Sequence, residues 1–186
     1  AEGRLVAVQP GVVRHSAHVA TWPGRFMAAC LSTGGLVSHR SAARLWGAEA
    51  ARGGIVEITV DDGAATDRPG VVLHRSTQMR MADRMLIDGI PVTGAARTLL
   101  DVAGVVRSRM LESIVDDLLR LRRTTWPELH STLLCHSAQG RTGCGGLRRL
   151  LAERYGDGPV PLSDWSRRFV RLLVDGLLQQ MSPDFD

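Results

Sequence analysis

Apolar positions along the chain change spacing several times, and each change predicts an element. Leu5, Val6 and Val8 precede Pro10-Gly11, and Val12-Val13 follow, which predicts two strands joined by a type II turn. Thr21 is placed to cap a helix running through Ser32, with Trp22, Phe26, Met27, Cys30 and Leu31 inward and Gly34-Gly35 as the stop. Ser38 to Gly47 predicts a short helix. Ile55 to Val60 follows Gly53-Gly54 and alternates in polarity, with β-branched residues, as a strand does. Asp61-Asp62-Gly63 turns the chain into a loop that lasts to Gly70, and Val71 to Arg75 is a second strand. Asp88-Gly89 is a hairpin dipeptide leading into Ile90-Pro91-Val92, where the proline predicts an edge strand.

Helical spacing dominates after this point. Thr93 is expected to cap a helix that buries Ala95, Ala96, Leu99, Leu100, Val102 and Ala103. A longer helix is predicted from Ser108 to Leu121, with Leu111, Ile114, Val115, Leu118 and Leu119 on one side. Thr125-Trp126-Pro127-Glu128 is a capping box with proline in the first turn. A Gly-rich turn over 140–146 precedes a helix from Leu147 to about Tyr155, and Gly156 to Pro161 reads as a linker. Ser163 opens a last amphipathic helix carrying Trp165, Phe169, Leu172, Leu173 and Val174. The expected class is α+β: a β-hairpin, then an α/β body with a small sheet and several helices.

Composition narrows the classes. Hydrophobic residues make up 44% of 186, which fits a packed core and excludes a disordered or fibrous chain. No apolar run approaches the ~20 residues that cross a bilayer, and the start has no signal-peptide layout. Cys30, Cys135 and Cys144 are too few and scattered for a disulfide framework, so a reduced cytoplasmic location is expected. All 23 basic residues other than histidine are arginine, a usage that a GC-rich genome accounts for. Residues 1–52 hold six arginines against two acids, 53–106 five against seven, and 107–186 twelve against ten. The basic surplus therefore sits mostly at the front, which suits weak attraction to phosphate.

The densest chemistry lies in Ser38-His39-Arg40-Ser41-Ala42-Ala43-Arg44-Leu45-Trp46-Gly47. Ser38 suits an N-cap, and Gly47 suits the left-handed stop. Ala42, Ala43, Leu45 and Trp46 supply a packing side; His39, Arg40 and Arg44 supply a cationic one. Two readings stay open: a structural helix with solvated arginines, or a helix that faces nucleic acid or an acidic partner.

This stretch resembles the "SHRSAA-LWG" signature of AbiEi-type antitoxins of actinobacteria, the antitoxin side of type IV toxin–antitoxin pairs. Three further segments match in order: Arg4 to Arg14 resembles the wing hairpin of that family's winged helix, Pro69 to Ser76 its "PGV-VHRS" strand, and Gly89 to Asp101 its "GIPVT-ARTLLDLA" segment. The resemblance implies a wing remnant over 1–20, an antitoxin-like body over 21–155, and a non-enzymatic antitoxin or transcription regulator that acts through an Arg-rich surface. Its expected partners are operator DNA and a cognate nucleotidyltransferase-type toxin, with no membrane and no small-molecule substrate. The helix-turn-helix that precedes the wing in the family is missing from this sequence, so DNA binding by this chain is expected to be weak. The expected contact residues are Arg4, Arg14, His39, Arg40, Arg44 and Arg75.

Ser163 to Leu173 resembles the start of a very-short-patch-repair-type endonuclease-like domain, which places an endonuclease-like remnant over 160–186 and a chain truncated at both ends. The alternative is therefore a degenerate or split endonuclease, inactive as this chain. Relatives place Glu where Ser166 stands, and Asp184 and Asp186 follow the helix too closely to complete a metal site. His130, Cys135, His136 and Cys144 do not have zinc-ligand spacing, and the Gly-rich turn has no Lys-Ser/Thr for a P-loop. No catalytic residue, metal or cofactor is expected.

Overall fold

The computed structural model describes residues 3–51, 53–61, 67–137 and 142–155. Among them the chain is a mixed α+β fold with six helices, a two-strand hairpin and a five-strand mixed sheet. Strands β1 (Leu5–Gln9) and β2 (Val12–His15) pair antiparallel around the expected turn, with Gly11 at φ +75°. Helix α1 (Trp22–Thr33) follows, capped by the Thr21 hydroxyl on the Gly24 N–H and ended by Gly34 in the left-handed region. Gln9 ties the hairpin to the body by donating to the Pro69 carbonyl at 3.0 Å.

The sheet order is β5-β4-β3-β7-β6. Strand β4 (Val56–Val60) runs antiparallel to β3 (Leu36–Val37) and parallel to β5 (Val71–Arg75). Strand β7 (Ile90–Thr93) runs parallel to β3 and antiparallel to β6 (Arg84–Ile87), and Asp88-Gly89 closes that hairpin as expected. The placing of Pro91 at an edge is corrected, because β7 lies inside the sheet between β3 and β6. Strand β3 has two residues and meets β7 at Val37 and Val92, so little ladder exists there for the missing N–H to interrupt. The Pro91 carbonyl accepts the Cys30 thiol at 3.6 Å.

Strand β4 is buried along its whole length, not half-buried as its alternation suggested. Val56, Ile58 and Val60 pack with Phe26, Ala29, Val37 and Val92 in a core between α1 and the sheet. Leu31, expected inward on α1, is exposed. A second core joins the helices α3 (Ala95–Val102), α4 (Ser108–Arg120), α5 (Trp126–His136) and α6 (Cys144–Tyr155), through Leu99, Leu100, Ile114, Leu118, Leu129 and Leu147. Thr93 ends β7 rather than capping α3; Gly94 is the cap, and the Thr98 hydroxyl donates to the Thr93 carbonyl at 3.0 Å. The capping box on Thr125 and Glu128 forms as expected. Helix α6 begins at Cys144, before the expected Leu147. Gly143, at φ +91°, precedes it, and a Cβ there would overlap the Leu100 carbonyl.

Helix α2 (His39–Leu45) stands between the two cores. Ala42 belongs to the first and Ala43 to the second, both fully buried, and Trp46 touches both while donating to the Thr93 carbonyl at 2.9 Å. The 3-10 turn Glu49–Ala51 follows Gly47, which takes φ +100°. The expected helix over residues 163–186, with its endonuclease-like reading, lies outside the described residues.

Candidate functional site

Helix α2 meets β4 through its polar residues. The Ser38 N–H donates to the Glu57 carbonyl at 3.0 Å. The Ser41 hydroxyl then extends the ladder, donating to the Ile55 carbonyl at 3.0 Å and accepting from the Glu57 N–H at 2.9 Å. Ser38 does not cap the helix with its side chain; its hydroxyl shares a 2.9 Å hydrogen bond with His39 Nδ1. Glu57 takes over the capping role, because its Oε2 accepts the Arg40 backbone N–H at 2.9 Å. A carboxylate from a neighbouring strand thus serves the first turn in place of the local hydroxyl.

The same carboxylate holds the Arg40 side chain in a forked pair, Nε to Oε2 and Nη2 to Oε1, both at 3.0 Å. The Glu57 side chain is 1% exposed and that of Arg40 37%, so the anion is buried and the cation covers it. His74 on β5 reaches Glu57 Oε1 with Nε2 at 3.4 Å. Burial acts to raise the Glu57 carboxyl, but the hydrogen bonds from His74 and Arg40 outweigh it and hold its pKa at about 2.

His39 stacks on His74, with ring centroids 3.5 Å apart. Burial first, then the neighbouring His74, lowers the His39 pKa to about 3 against the pull of Glu57, so its imidazole is neutral at pH 7. His39 also adopts φ +50°, a strained conformation for a non-glycine residue. These observations place the three residues of the expected cationic face of α2. His39 is buried and neutral, Arg40 is neutralised by Glu57, and Arg44 has turned to cover Trp22, with its guanidinium carbon 4.1 Å from the ring centroid. Arg44 Nη1 donates to the Gly53 carbonyl at 3.0 Å.

A second polar group continues along β5 to α3. Arg97, 3% exposed, donates from Nε to Asp101 Oδ1 at 2.9 Å and from Nη1 to Asp83 Oδ2 at 3.1 Å. Its Nη2 reaches the Ser76 hydroxyl at 3.3 Å, and Asp83 Oδ1 lies 3.0 Å from His136 Nε2. Burial opposes ionisation of Asp83, yet the Arg80 backbone N–H, His136 and Arg97 together lower its pKa. Arg97 and Asp101 are four residues apart on α3, so one helix face presents both.

Sequence reasoning named His39 and Arg40 but missed Glu57, Asp83, Arg97 and Asp101, and it weighed His136 only as a zinc ligand, whereas the structure buries it. An acid within the β-branched run Val56-Glu57-Ile58 was the one available signal for the first of these. Of the other expected contact residues, Arg4 is exposed at the foot of the hairpin and Arg14 is half-buried on β2, away from the α2 cluster. Arg75 is exposed at the end of β5. Chemically, each buried carboxylate here faces arginine, histidine or backbone donors, an arrangement that fixes position. A cleft of about 490 Å³ lies elsewhere, between the hairpin and α1, lined by Val8, Val12, Met27 and Val56 among others.

Comparison with known proteins adds a family. Residues 27–153 match the profile of the AbiEi antitoxin C-terminal domain. The chain belongs to this family. No curated protein and no solved structure gave a match. The AbiEi domain match includes Ser38, His39, Arg40, Glu57, His74, Asp83, Arg97, Asp101 and His136, so the entire polar network lies within it. The hairpin Leu5–His15 lies before it. An AbiEi antitoxin belongs to a toxin–antitoxin system, implies a cognate toxin, and is typically non-enzymatic. Among the described residues no helix is long and apolar enough to cross a membrane.

Proposed function

We propose that the chain is an antitoxin or transcription regulator of a type IV toxin–antitoxin system, acting on DNA, on a nucleotidyltransferase-type toxin, or on both, through arginines of its surface. The observation that carries this reading is the AbiEi domain match over more than half of the chain. The geometry of the signature supports a binding role, since its titratable groups are held by one another rather than offered to a substrate. In this reading residues 1–20 form the hairpin that approaches DNA, with Arg4 and Arg14 at the phosphate backbone. Residues 21–155 form the body that meets the toxin. Arg44 and Arg75 remain as surface contacts, while His39 and Arg40 act as positioning residues that set α2 on β4.

Co-expression tests the antitoxin role. The chain should restore growth to cells expressing the nucleotidyltransferase encoded beside it, and failure to do so with soluble protein present would contradict the reading. DNA binding is tested separately with a duplex from upstream of the gene. Affinity should fall steeply with salt, and Arg4→Ala with Arg14→Ala should weaken it further.

A further inference from the structure

The cleft of about 490 Å³ between the hairpin and α1 takes no part in the polar network. Its walls are mostly apolar: Val12 comes from β2, Met27 and Leu31 from α1, and Val56 from β4. Val12 and Arg14 alternate with the exposed Val13 and His15, so the strand turns both of them toward the body. The Gln9 amide is oriented by its Nε2, which donates to the Pro69 carbonyl, and Oε1 is left as an acceptor. Gln9 Oε1 and Arg14 Nε both line the cleft and are shielded from solvent, and neither has a hydrogen-bond partner among the described residues. A buried acceptor and a buried donor in this state are costly, and a ligand that pairs with both relieves that cost. Arg25, held 5.0 Å from the centroid of the Trp22 ring, adds a second cation. Among the described residues the lining holds no carboxylate.

We propose that this cleft binds a small apolar carboxylic acid that also carries a hydroxyl or N–H group. The apolar body of such a molecule covers Val12, Met27 and Leu31. Its carboxylate accepts from Arg14 Nε, with Arg25 as the second cation of the lining, and its own donor reaches Gln9 Oε1. A mostly apolar cleft of roughly 300–1,000 Å³ with a few placed polar groups is the usual form of a small-molecule site. The two guanidinium groups disfavour an amine, and a phosphodiester chain would bring its charges against apolar walls. The site itself stands apart from the proposed function. Its consequence rests on that reading: Arg14 is the residue placed there at the DNA backbone, so a bound acid competes with phosphate for it.

The test titrates 6-hydroxy-2-naphthoate into the full chain and follows the fluorescence of the probe. The controls are 2-naphthoate, which lacks the hydroxyl, and 6-hydroxymethyl-2-naphthol, which lacks the charge. The hydroxy acid should bind most tightly, and both controls should bind more weakly. Arg14→Met should weaken the hydroxy acid roughly tenfold or more, with little effect on the uncharged control. Leu31→Glu sets a like charge beside the carboxylate and should weaken it as well; Leu31 is exposed, so that variant is expected to fold, which circular dichroism checks. Arg109→Ala, away from the cleft, should change nothing. Failure of the hydroxy acid to bind, equal binding of the uncharged control, or binding that neither Arg14→Met nor Leu31→Glu weakens would each overturn the proposal. These titrations contain no DNA, so failure of the site and failure of the DNA reading are told apart. In the presence of the upstream duplex the acid should lower duplex affinity, and an affinity unchanged by saturating acid would overturn the competition.

Discussion

Replacing His39 by asparagine tests the buried network through the pH dependence of stability. The His39 imidazole faces His74, Glu57, Arg40 and Arg97, and burial with these neighbours moves its pKa from 6.5 to about 3. A base with a lowered folded-state pKa stabilises the fold fully above about 6.5 and loses that contribution as pH falls toward 3. At pH 5 the unfolded chain holds a proton that the folded one does not, over a gap of about 1.5 pH units, or about 2 kcal/mol. For a domain of this size that is about 4–8 °C in Tm. Glu57 titrates lower, between 4.5 and about 2, so the loss at pH 5 is separated from that carboxylate, and the comparison with His39→Asn separates it from the other histidines. Asparagine tolerates the φ of +50° and carries no charge. Thermal melts at pH 7.5 and 5.0 should show the loss in the wild type and most of it gone in His39→Asn. The same pH slope in both proteins would refute the reasoning.

Other perturbations follow from the same packing. Arg97→Met leaves Asp83 and Asp101 buried without their shared cation, and urea unfolding should register a loss of about 3–5 kcal/mol. Ala43→Leu forces a branched side chain into the helical core where Ala43 is fully buried, and should cost about 1–3 kcal/mol by the same measurement. Gly143→Ala meets both a positive φ and the Leu100 carbonyl; it should destabilise by more than about 1 kcal/mol, with accelerated hydrogen exchange in α6.

What was legible in the sequence was local. The Thr125–Glu128 box, the turns at Pro10-Gly11 and Asp88-Gly89, and the spacing of Leu111, Ile114, Val115 and Leu118 are all set by neighbours a few residues away. The two residues of β3 and the Arg-Met-Leu-Ile of β6 have no such pattern, and they become strands only because β4 and β7 are beside them. The same reason hid the site. Ser38 has the chemistry of a cap, but Glu57, seventeen residues after Arg40 in sequence, reaches the Arg40 N–H instead. An acid in a strand reads as solvent-facing until the sheet covers both of its faces. Arg40 and His39 therefore read as surface charge when their partners were still distant in the chain.

The central claim is that the signature helix spends the charge of Arg40 on the fold. A double-mutant cycle on Arg40→Met and Glu57→Gln, followed by urea unfolding, measures that directly. Each single change should cost stability, and the coupling between them should be about 1–3 kcal/mol. Zero coupling, with Arg40→Met weakening only toxin or DNA binding, would contradict it.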